Sequence, residues 1–168
     1  ASFSVCAIDS AIDPVLRAKD APELCGKTGI ALAKLLYQRY RQIFSGPRWE
    51  QLARRKARPL RPKWTRITPQ DPNLPLTHYA NALIGSDSVM TFSLETLAAF
   101  EDAGNPTLTL TENLSQAETH LDKLAKAGVD LDDIVHNLQS EHLMMAESQY
   151  QALVDAVTQR SFVLGMAA

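Results

Sequence analysis

Three short stretches of the sequence have the composition of β-strands, and helical patterns separate them. Residues 2–9 are an apolar run ended by polar residues, residues 63–68 alternate and are rich in β-branched and aromatic side chains, and residues 87–92 are a third candidate. Strands that alternate with helices are typical of an α/β fold with parallel strands. Three parallel strands leave two unpaired edges and need cover on both faces. The sequence therefore predicts an α/β chain that forms only part of a larger sheet.

Six or seven helices are expected around these strands. Asp13-Pro14 and Asp20-Ala-Pro22 both have the form of a helix start, with proline in the first turn. The second start leads into a helical pattern that reaches about Phe44, where Ser45-Gly46-Pro47 ends it. A shorter helix is predicted from Pro47 to about Lys56.

The second half of the sequence is mainly helical. Ser93 is expected to cap a helix over residues 94–102, and residues 107–111 are interpreted as a brief extended segment. Ser115-Gln-Ala-Glu118 has the form of a capping box and opens a helix that ends at Gly128. A further helix begins near Asp130, breaks around residues 141–142 and continues to about Arg160.

Composition places the chain among globular proteins. Hydrophobic residues make up 45% and charged residues 21% of its 168 residues, so whole-chain disorder is excluded. No apolar run approaches the ~20 residues that cross a bilayer, and no basic residue precedes the first apolar stretch, so neither membrane insertion nor a signal peptide is predicted. Cys6 and Cys25 are interpreted as free thiols of a cytoplasmic protein, and no residue spacing indicates a metal site.

Charge is distributed unevenly along the chain. Residues 1–84 carry 14 Lys and Arg against 6 Asp and Glu, whereas residues 85–168 carry 3 against 13. Opposite charge poles favour head-to-tail association or docking on a larger complex. Residues 54–66 form a basic run that contains Trp64, and nucleic-acid binding is one interpretation of it. A solvated or partner-facing surface is the favoured interpretation.

Four segments resemble one known family in order and spacing. They are Leu35–Trp49 (LLYQRYRQIFSGPRW), Arg58–Trp64 (RPLRPKW), Leu83–Thr91 (LIGSDSVMT, close to that family's LIGPDTVNT) and Ala127–Val135 (AGVDLDDIV). On these segments the chain resembles bacterial transaldolases, in particular the type also found fused to glucose-6-phosphate isomerase. The resemblance extends over roughly residues 1–160.

The resemblance implies a partial (β/α)8 barrel with a helical C-terminal tail. Residues 1–104 would be the C-terminal part of the barrel and residues 105–168 an acidic helical tail packed on it. In this family a lysine on the fourth strand forms a Schiff base with a ketose phosphate and passes a dihydroxyacetone unit to an aldose phosphate, a transferase reaction of the pentose phosphate pathway that needs no cofactor. The present chain matches from the sixth strand onward.

No residue of this chain is assigned a catalytic role, because the segment that carries the family's lysine has no counterpart in it. Five lysines are considered as substitutes and are interpreted as solvated surface side chains; they are Lys27, Lys34, Lys63, Lys123 and Lys126. The chain alone is therefore expected to be inactive. The alternative function is that of a pseudoenzyme, a non-catalytic binding or assembly module in a larger complex.

Three residues are candidates for holding a substrate phosphate. Ser2 matches the serine of the family's sixth-strand pattern SFFVSR, but Ala7 stands where that pattern has arginine. Trp64–Pro72 (WTRITPQDP) aligns with the family's WASTSTKNP, with Thr68 keeping a hydroxyl and Arg66 replacing a serine. Arg66 could supply the charge lost at Ala7 if both lie at the C-terminal mouth of a barrel, but a solvated arginine on a degraded site is the favoured interpretation. The predicted substrate-binding residues are Ser2, Arg66 and Thr68.

A partner is expected on either interpretation. A half-barrel exposes strand edges and an apolar barrel interior, which call for a complementary barrel chain or a larger protein complex. A sugar phosphate is the expected small-molecule partner if the assembly is active. The apolar positions Leu143, Met144, Leu153, Val154 and Val157 are interpreted as core packing or as a face offered to a partner.

Overall fold

A three-stranded parallel sheet lies at the centre of the N-terminal part of the molecule. The computed structural model describes the backbone of residues 1–166 and the side chains of residues 1–162. The strands are β1 (Ser2–Ser4), β2 (Lys63–Thr65) and β3 (Val89–Met90), in the order β1-β2-β3. Phe3 lies beside Trp64, and Trp64 lies beside Met90. β1 and β3 each pair with β2 alone in the described residues, so the sheet has two open edges.

Seven α-helices accompany the sheet in the described part of the chain, which confirms the predicted α/β class and helix number. They are α1 (Val5–Ala18), α2 (Thr28–Ile43), α3 (Gly46–Arg54), α4 (His78–Ala82), α5 (Leu94–Ala103), α6 (Leu114–Lys126) and α7 (Leu131–Met166), with a 3₁₀ turn at Pro22–Leu24 before α2.

The strand predicted over residues 2–9 is correctly located but too long, and the helix start predicted at Asp13-Pro14 is wrong. The strand ends at Ser4, and α1 begins at Val5 and runs through Pro14. Residues four apart share one face of a helix, so Asp9 and Asp13 both reach the segment that leads into α2. There Asp9 accepts the N–H of Gly29 at 2.8 Å and Asp13 accepts the N–H of Gly26 at 3.1 Å. Asp13 is therefore a tertiary acceptor and not a helix cap.

The other two strands are shorter than predicted. β2 stops after Thr65 because Arg66 adopts a left-handed conformation with φ 50°, and Asp87, at φ 54°, turns the chain before β3. Residues 107–111 are not a strand, so that prediction is wrong as well. The N–H groups of Thr109 and Leu110 both donate to the distant carbonyl of Ile84, and the N–H of Glu112 donates to the carbonyl of Thr109, so the segment forms a turn held against residue 84 and not a ladder.

Helix ends were predicted with mixed success. Ser93 caps α5 by accepting the N–H of Thr96, as expected. The capping box at Ser115 is wrong, because α6 already begins at Leu114, after Asn113 in a left-handed conformation. The break predicted around residues 141–142 is wrong too, since α7 is continuous through them.

The two faces of the sheet have different environments. Phe3, Trp64 and Met90 point to one face, where they pack with Ala33 and Tyr37 of α2 and with other buried side chains (Val5, Cys6, Ile67, Tyr79, Ala80, Leu83 and Leu110). Side chains alternate along a strand, so the opposite face presents Ser2, Ser4, Lys63, Thr65 and Val89. None of these five is buried. The uncovered face is mainly polar, and the prediction of an apolar interior is wrong.

The chain divides into two compact units, residues 1–130 and 131–168. Within the first, α6 packs extensively against α2. The second consists of α7. The apolar side chains predicted to form a core or a partner-facing surface are 38–72% exposed, so they do not form a core in the described residues; they are Leu143, Met144, Leu153, Val154 and Val157. The predicted division into residues 1–104 and 105–168 concerns the relation to a complete barrel and stays a prediction. In the described residues no helix is long and apolar enough to cross a membrane.

Candidate functional site

The carboxyl ends of the three parallel strands form the C-terminal edge of the sheet, which is distinct from its two open side edges. Several hydroxyl groups lie at this C-terminal edge. Ser4 Oγ lies 3.2 Å from Thr65 Oγ1 at the ends of β1 and β2. Beyond β2, Thr68 Oγ1 lies 2.6 Å from Thr96 Oγ1 and 3.2 Å from Ser93 Oγ, both at the start of α5. Ser93 and Thr96 contact each other at 2.9 Å. The C-terminal edge of a parallel sheet is where α/β enzymes bind ligands, so we take this edge as the candidate site.

Arg66 lies at this edge with its side chain exposed. Its guanidinium forms no ion pair or hydrogen bond with the residues that the structure describes, so its five donors are free to contact an anion. Its left-handed backbone costs on the order of 1 kcal/mol in a non-glycine residue. Conformations of this kind are frequent at functional sites, although they occur elsewhere as well.

Ala7 lies close to Arg66. The N–H of Cys6 donates to the carbonyl of Arg66 at 3.0 Å, which places the first turn of α1 directly against the end of β2. Ala7 follows Cys6 in that turn and is half-buried. The structure therefore brings Arg66 next to the turn that contains Ala7.

Ser2 is separated from the other two candidates. It begins β1, beside Lys63, whereas Arg66 and Thr68 follow the end of β2. Two residues along a strand span about 7 Å, so Ser2 lies that far along β1 from Ser4. Its side chain points to the same open face as Ser4. The structure thus groups Arg66 and Thr68 and leaves Ser2 near the opposite edge of the sheet.

A buried carboxyl pair beside this edge was missed by the sequence interpretation. Asp9, which is 2% exposed, accepts hydrogen bonds from Gly29 N–H and from the hydroxyl of Tyr79, both at 2.8 Å. Burial raises the pKa of Asp9 to about 6, although both hydrogen bonds act in the opposite direction. Burial and the neighbouring Asp9 also raise the pKa of Tyr79. The spacing of Asp9 and Asp13 by four residues was the available signal, because it places both on one helix face.

The carboxyl pair lines a cleft of about 470 Å³, together with Ser10, Arg17 and Gln70. Arg17 forms an ion pair with Asp71 at 2.5 Å at its rim. Both oxygens of Asp9 are engaged by groups of α2 and α4. The pair therefore joins three helices, and its demonstrable role is to fix their packing.

The lysines were interpreted as solvated, and for Lys34 this is wrong. Lys34 is 7% exposed, and its Nζ donates to the carbonyls of Thr109 and Glu112, each at 2.9 Å. Burial lowers its pKa. Lys34 lies on α2 and not on the open face of the sheet. Lys63 does lie on that face, but at the start of β2.

Cys6 and Cys25 are both free thiols. Among the described residues, no group of three or more His, Cys, Asp or Glu side chains could hold a metal ion.

A short parallel sheet with helices over one face, an uncovered polar face and hydroxyls at the strand ends defines part of an α/β barrel. The family model described as Transaldolase/Fructose-6-phosphate aldolase matches residues 1–157. This chain therefore belongs to the transaldolase/fructose-6-phosphate aldolase family.

Transaldolases from several bacteria are similar to the chain over most of its length. That of Parafrankia sp. (strain EAN1pec) is 40% identical over 172 residues, which cover 100% of this chain and 46% of that protein. Those of Frankia alni and Thermobifida fusca are 37% and 36% identical over 164 residues, covering 95% of this chain and 44% and 45% of those proteins. The chain thus spans less than half the length of these relatives.

Proposed function

We propose that this chain supplies the C-terminal strands and helices of a transaldolase-type (β/α)8 barrel. The assembled barrel would pass a dihydroxyacetone unit from a ketose phosphate to an aldose phosphate. The observation that carries the proposal is the sheet itself, which has helices on one face, a polar uncovered face and two open edges. A complementary segment or chain with the remaining strands would cover that face. The two free thiols favour a cytoplasmic location.

Arg66 and Thr68 would hold the substrate phosphate at the C-terminal mouth, and Ser2 would contribute from the floor of the open face. An arginine provides planar, charge-assisted donors for phosphate oxygens, and Arg66 replaces the charge absent at Ala7. The Schiff-base lysine would come from the complementary strands. Lys63 is at the wrong end of its strand for this role, and Lys34 is held in the helical layer by two carbonyls.

Borohydride trapping with fructose 6-phosphate tests where the lysine resides. We expect the chain alone to gain no mass, because Lys34 is held by carbonyls, Lys63 lies at the start of β2 and the other lysines are exposed. Mixed with a chain that carries the N-terminal strands of a relative, the adduct should appear on that other chain, as read by intact-mass spectrometry. An adduct on the present chain would show that the Schiff-base lysine does not come from the complementary strands. If light scattering shows that the present chain stays monomeric when the other chain is added, the barrel proposal is overturned.

Replacing Arg66 tests the phosphate site in the assembled barrel. We expect Arg66→Gln to raise KM for the ketose phosphate about tenfold or more, because one charge-assisted hydrogen bond contributes roughly 1.5–3 kcal/mol. Arg58→Gln, in the exposed basic run, is the matched control and should leave KM unchanged. Equal KM values for the two variants would remove Arg66 from the site.

A non-catalytic binding module is the second candidate function, because Ala7 occupies the place of the family's arginine. The large apolar side chains exposed on α7 would then serve association with a larger complex. If the chain with the N-terminal strands binds this chain but borohydride traps no adduct on either, the binding-module function is favoured. It would leave the half-barrel architecture intact.

A further inference from the structure

A second cleft, between α2 and α6, collects basic groups. It has a volume of about 550 Å³, within the range of sites for small molecules. Three lysines and a histidine line it, namely Lys27, Lys34, Lys123 and His120. Glu23 supplies the single carboxylate of the lining. The cleft belongs to the helical layer and not to the strand ends.

Two of the three ammonium groups of the cleft contact backbone carbonyls. Lys27 Nζ donates to the carbonyl of Glu23 at 2.6 Å, and Lys34 Nζ donates to two carbonyls, which leaves one of its three N–H groups. In the part of the chain that the structure describes, neither lysine forms an ion pair with a carboxylate, and neither does Lys123. Glu112 acts on Lys34 from outside the lining and partly offsets the effect of burial on its pKa. The positive charge of the cleft is therefore largely uncompensated.

His120 lies among these charges. It is 8% exposed, and its Nε2 is 3.0 Å from the hydroxyl of Thr28. Burial lowers the pKa of His120 first, and the charges of Lys27 and Lys123 lower it further. Lys27 and Lys123 therefore both lie close enough to act on the ring of His120. An anion bound between them would offset their positive charge and make protonation of His120 easier.

The N-terminus of α6 opens onto the same cleft. Asn113, at φ 56°, turns the chain into the 13-residue helix, and Ser115 and Gln116 of its first turn are lining residues. The first N–H groups of a helix carry partial positive charge and point at bound anions. A hydroxyl, an amide and a helix terminus thus add to the three ammonium groups.

We propose that the cleft between α2 and α6 binds a small phosphorylated anion. Lys27 and Lys123 would contact the phosphate oxygens from its two walls, the first turn of α6 would donate N–H groups, and Lys34 would contribute charge from below. Phosphate is preferred over a lone carboxylate because several donors converge on the cleft from different directions. The site does not depend on the proposed transferase activity.

Calorimetry and histidine NMR with inorganic phosphate and with pyrophosphate test the site at constant ionic strength, balanced with sodium chloride. We expect saturable binding in the millimolar range or tighter, with pyrophosphate tighter than phosphate, and an upward shift of the pKa of His120. Lys27→Gln and Lys123→Gln should each weaken binding about tenfold, as expected for the loss of one charged donor. Lys126→Gln changes an exposed lysine of α6 outside the lining and should leave the affinity unchanged.

Two outcomes would overturn the proposal. One is the absence of any saturable change at His120 with pyrophosphate. The other is equal weakening by Lys126→Gln, which would mark a non-specific charge effect. Circular dichroism of each variant establishes that α2 and α6 remain folded, so a loss of binding is attributed to the missing charge.

Discussion

Gly29→Ala should lower the free energy of unfolding by about 3 kcal/mol, a large fraction of the stability of a domain of this size. A Cβ at residue 29 would lie 2.5 Å from the carbonyl oxygen of Val5 and 3.0 Å from Val5 Cγ1. The first contact is with backbone, which cannot rotate away, so α1 and α2 would have to move apart. That movement would also lengthen the hydrogen bond from Gly29 N–H to Asp9. Urea unfolding of both proteins measures the loss.

Gly46→Ala is the matched control. No atom lies within 4 Å of a Cβ at residue 46, where φ is +76°, so the cost should be that of a left-handed alanine alone, about 1 kcal/mol. Alanine is also a better helix former than glycine, which favours Gly29→Ala by about 1 kcal/mol if space were available. A Gly29→Ala variant as stable as the parent would therefore show that α1 and α2 are not held at this distance.

The sequence predicts the class of fold because local patterns determine it. Strand composition located all three strands, and Ser93 identified the start of α5, because its cap needs only residues three apart. Proline and glycine located the end of α2. Each of these features depends on neighbours in the chain, which a sequence displays directly.

The wrong predictions concern segments whose structure depends on residues distant in the sequence. Val5–Asp9 is apolar enough for a strand, yet it is helical because Asp9 and Asp13 are fixed by N–H groups of residues 26 and 29. Ser115 has good capping chemistry, but Asn113, two residues earlier, already turns the chain into the helix. Local propensity is a weak preference that tertiary contacts override.

The candidate site likewise has features that the sequence predicts and features that depend on distant residues. Alignment with the family's strand patterns identified Arg66 and Thr68, and the structure places both at the same edge. It does not group Ser2 with them, because position along a three-residue strand depends on register, which the sequence does not display. The basic cleft between α2 and α6 joins residues about ninety positions apart, and no local spacing indicates it.

The titration of Asp9 should lower the stability of this protein by about 3 kcal/mol as pH rises from about 4 to above 6. The pKa of Asp9 is raised from 3.8 to about 6 in the folded protein, chiefly by burial, so the folded state holds its proton more tightly than the unfolded state. Its stabilising contribution is complete below pH 3.8 and is lost as pH passes through 6, at about 1.4 kcal/mol for each pKa unit. Burial raises the pKa of Asp13 as well, which adds to the fall. The lowered pKa of His120 acts in the opposite direction, so the parent profile alone cannot isolate Asp9.

The Asp9→Asn variant isolates the contribution of Asp9 to the pH dependence of stability. The amide oxygen can still accept the N–H of Gly29, and the amide nitrogen can donate to the hydroxyl of Tyr79, so the geometry is kept while the titration is removed. Relative to the parent, this variant should gain about 3 kcal/mol of stability between pH 4 and pH 7, as measured by urea unfolding at closely spaced pH values. Asp20→Asn makes the same chemical change at an exposed aspartate and controls for the substitution itself. Parallel pH profiles for Asp9→Asn and the parent would mean that Asp9 does not titrate in this range, and that the three-helix junction holds a charged carboxylate at no cost.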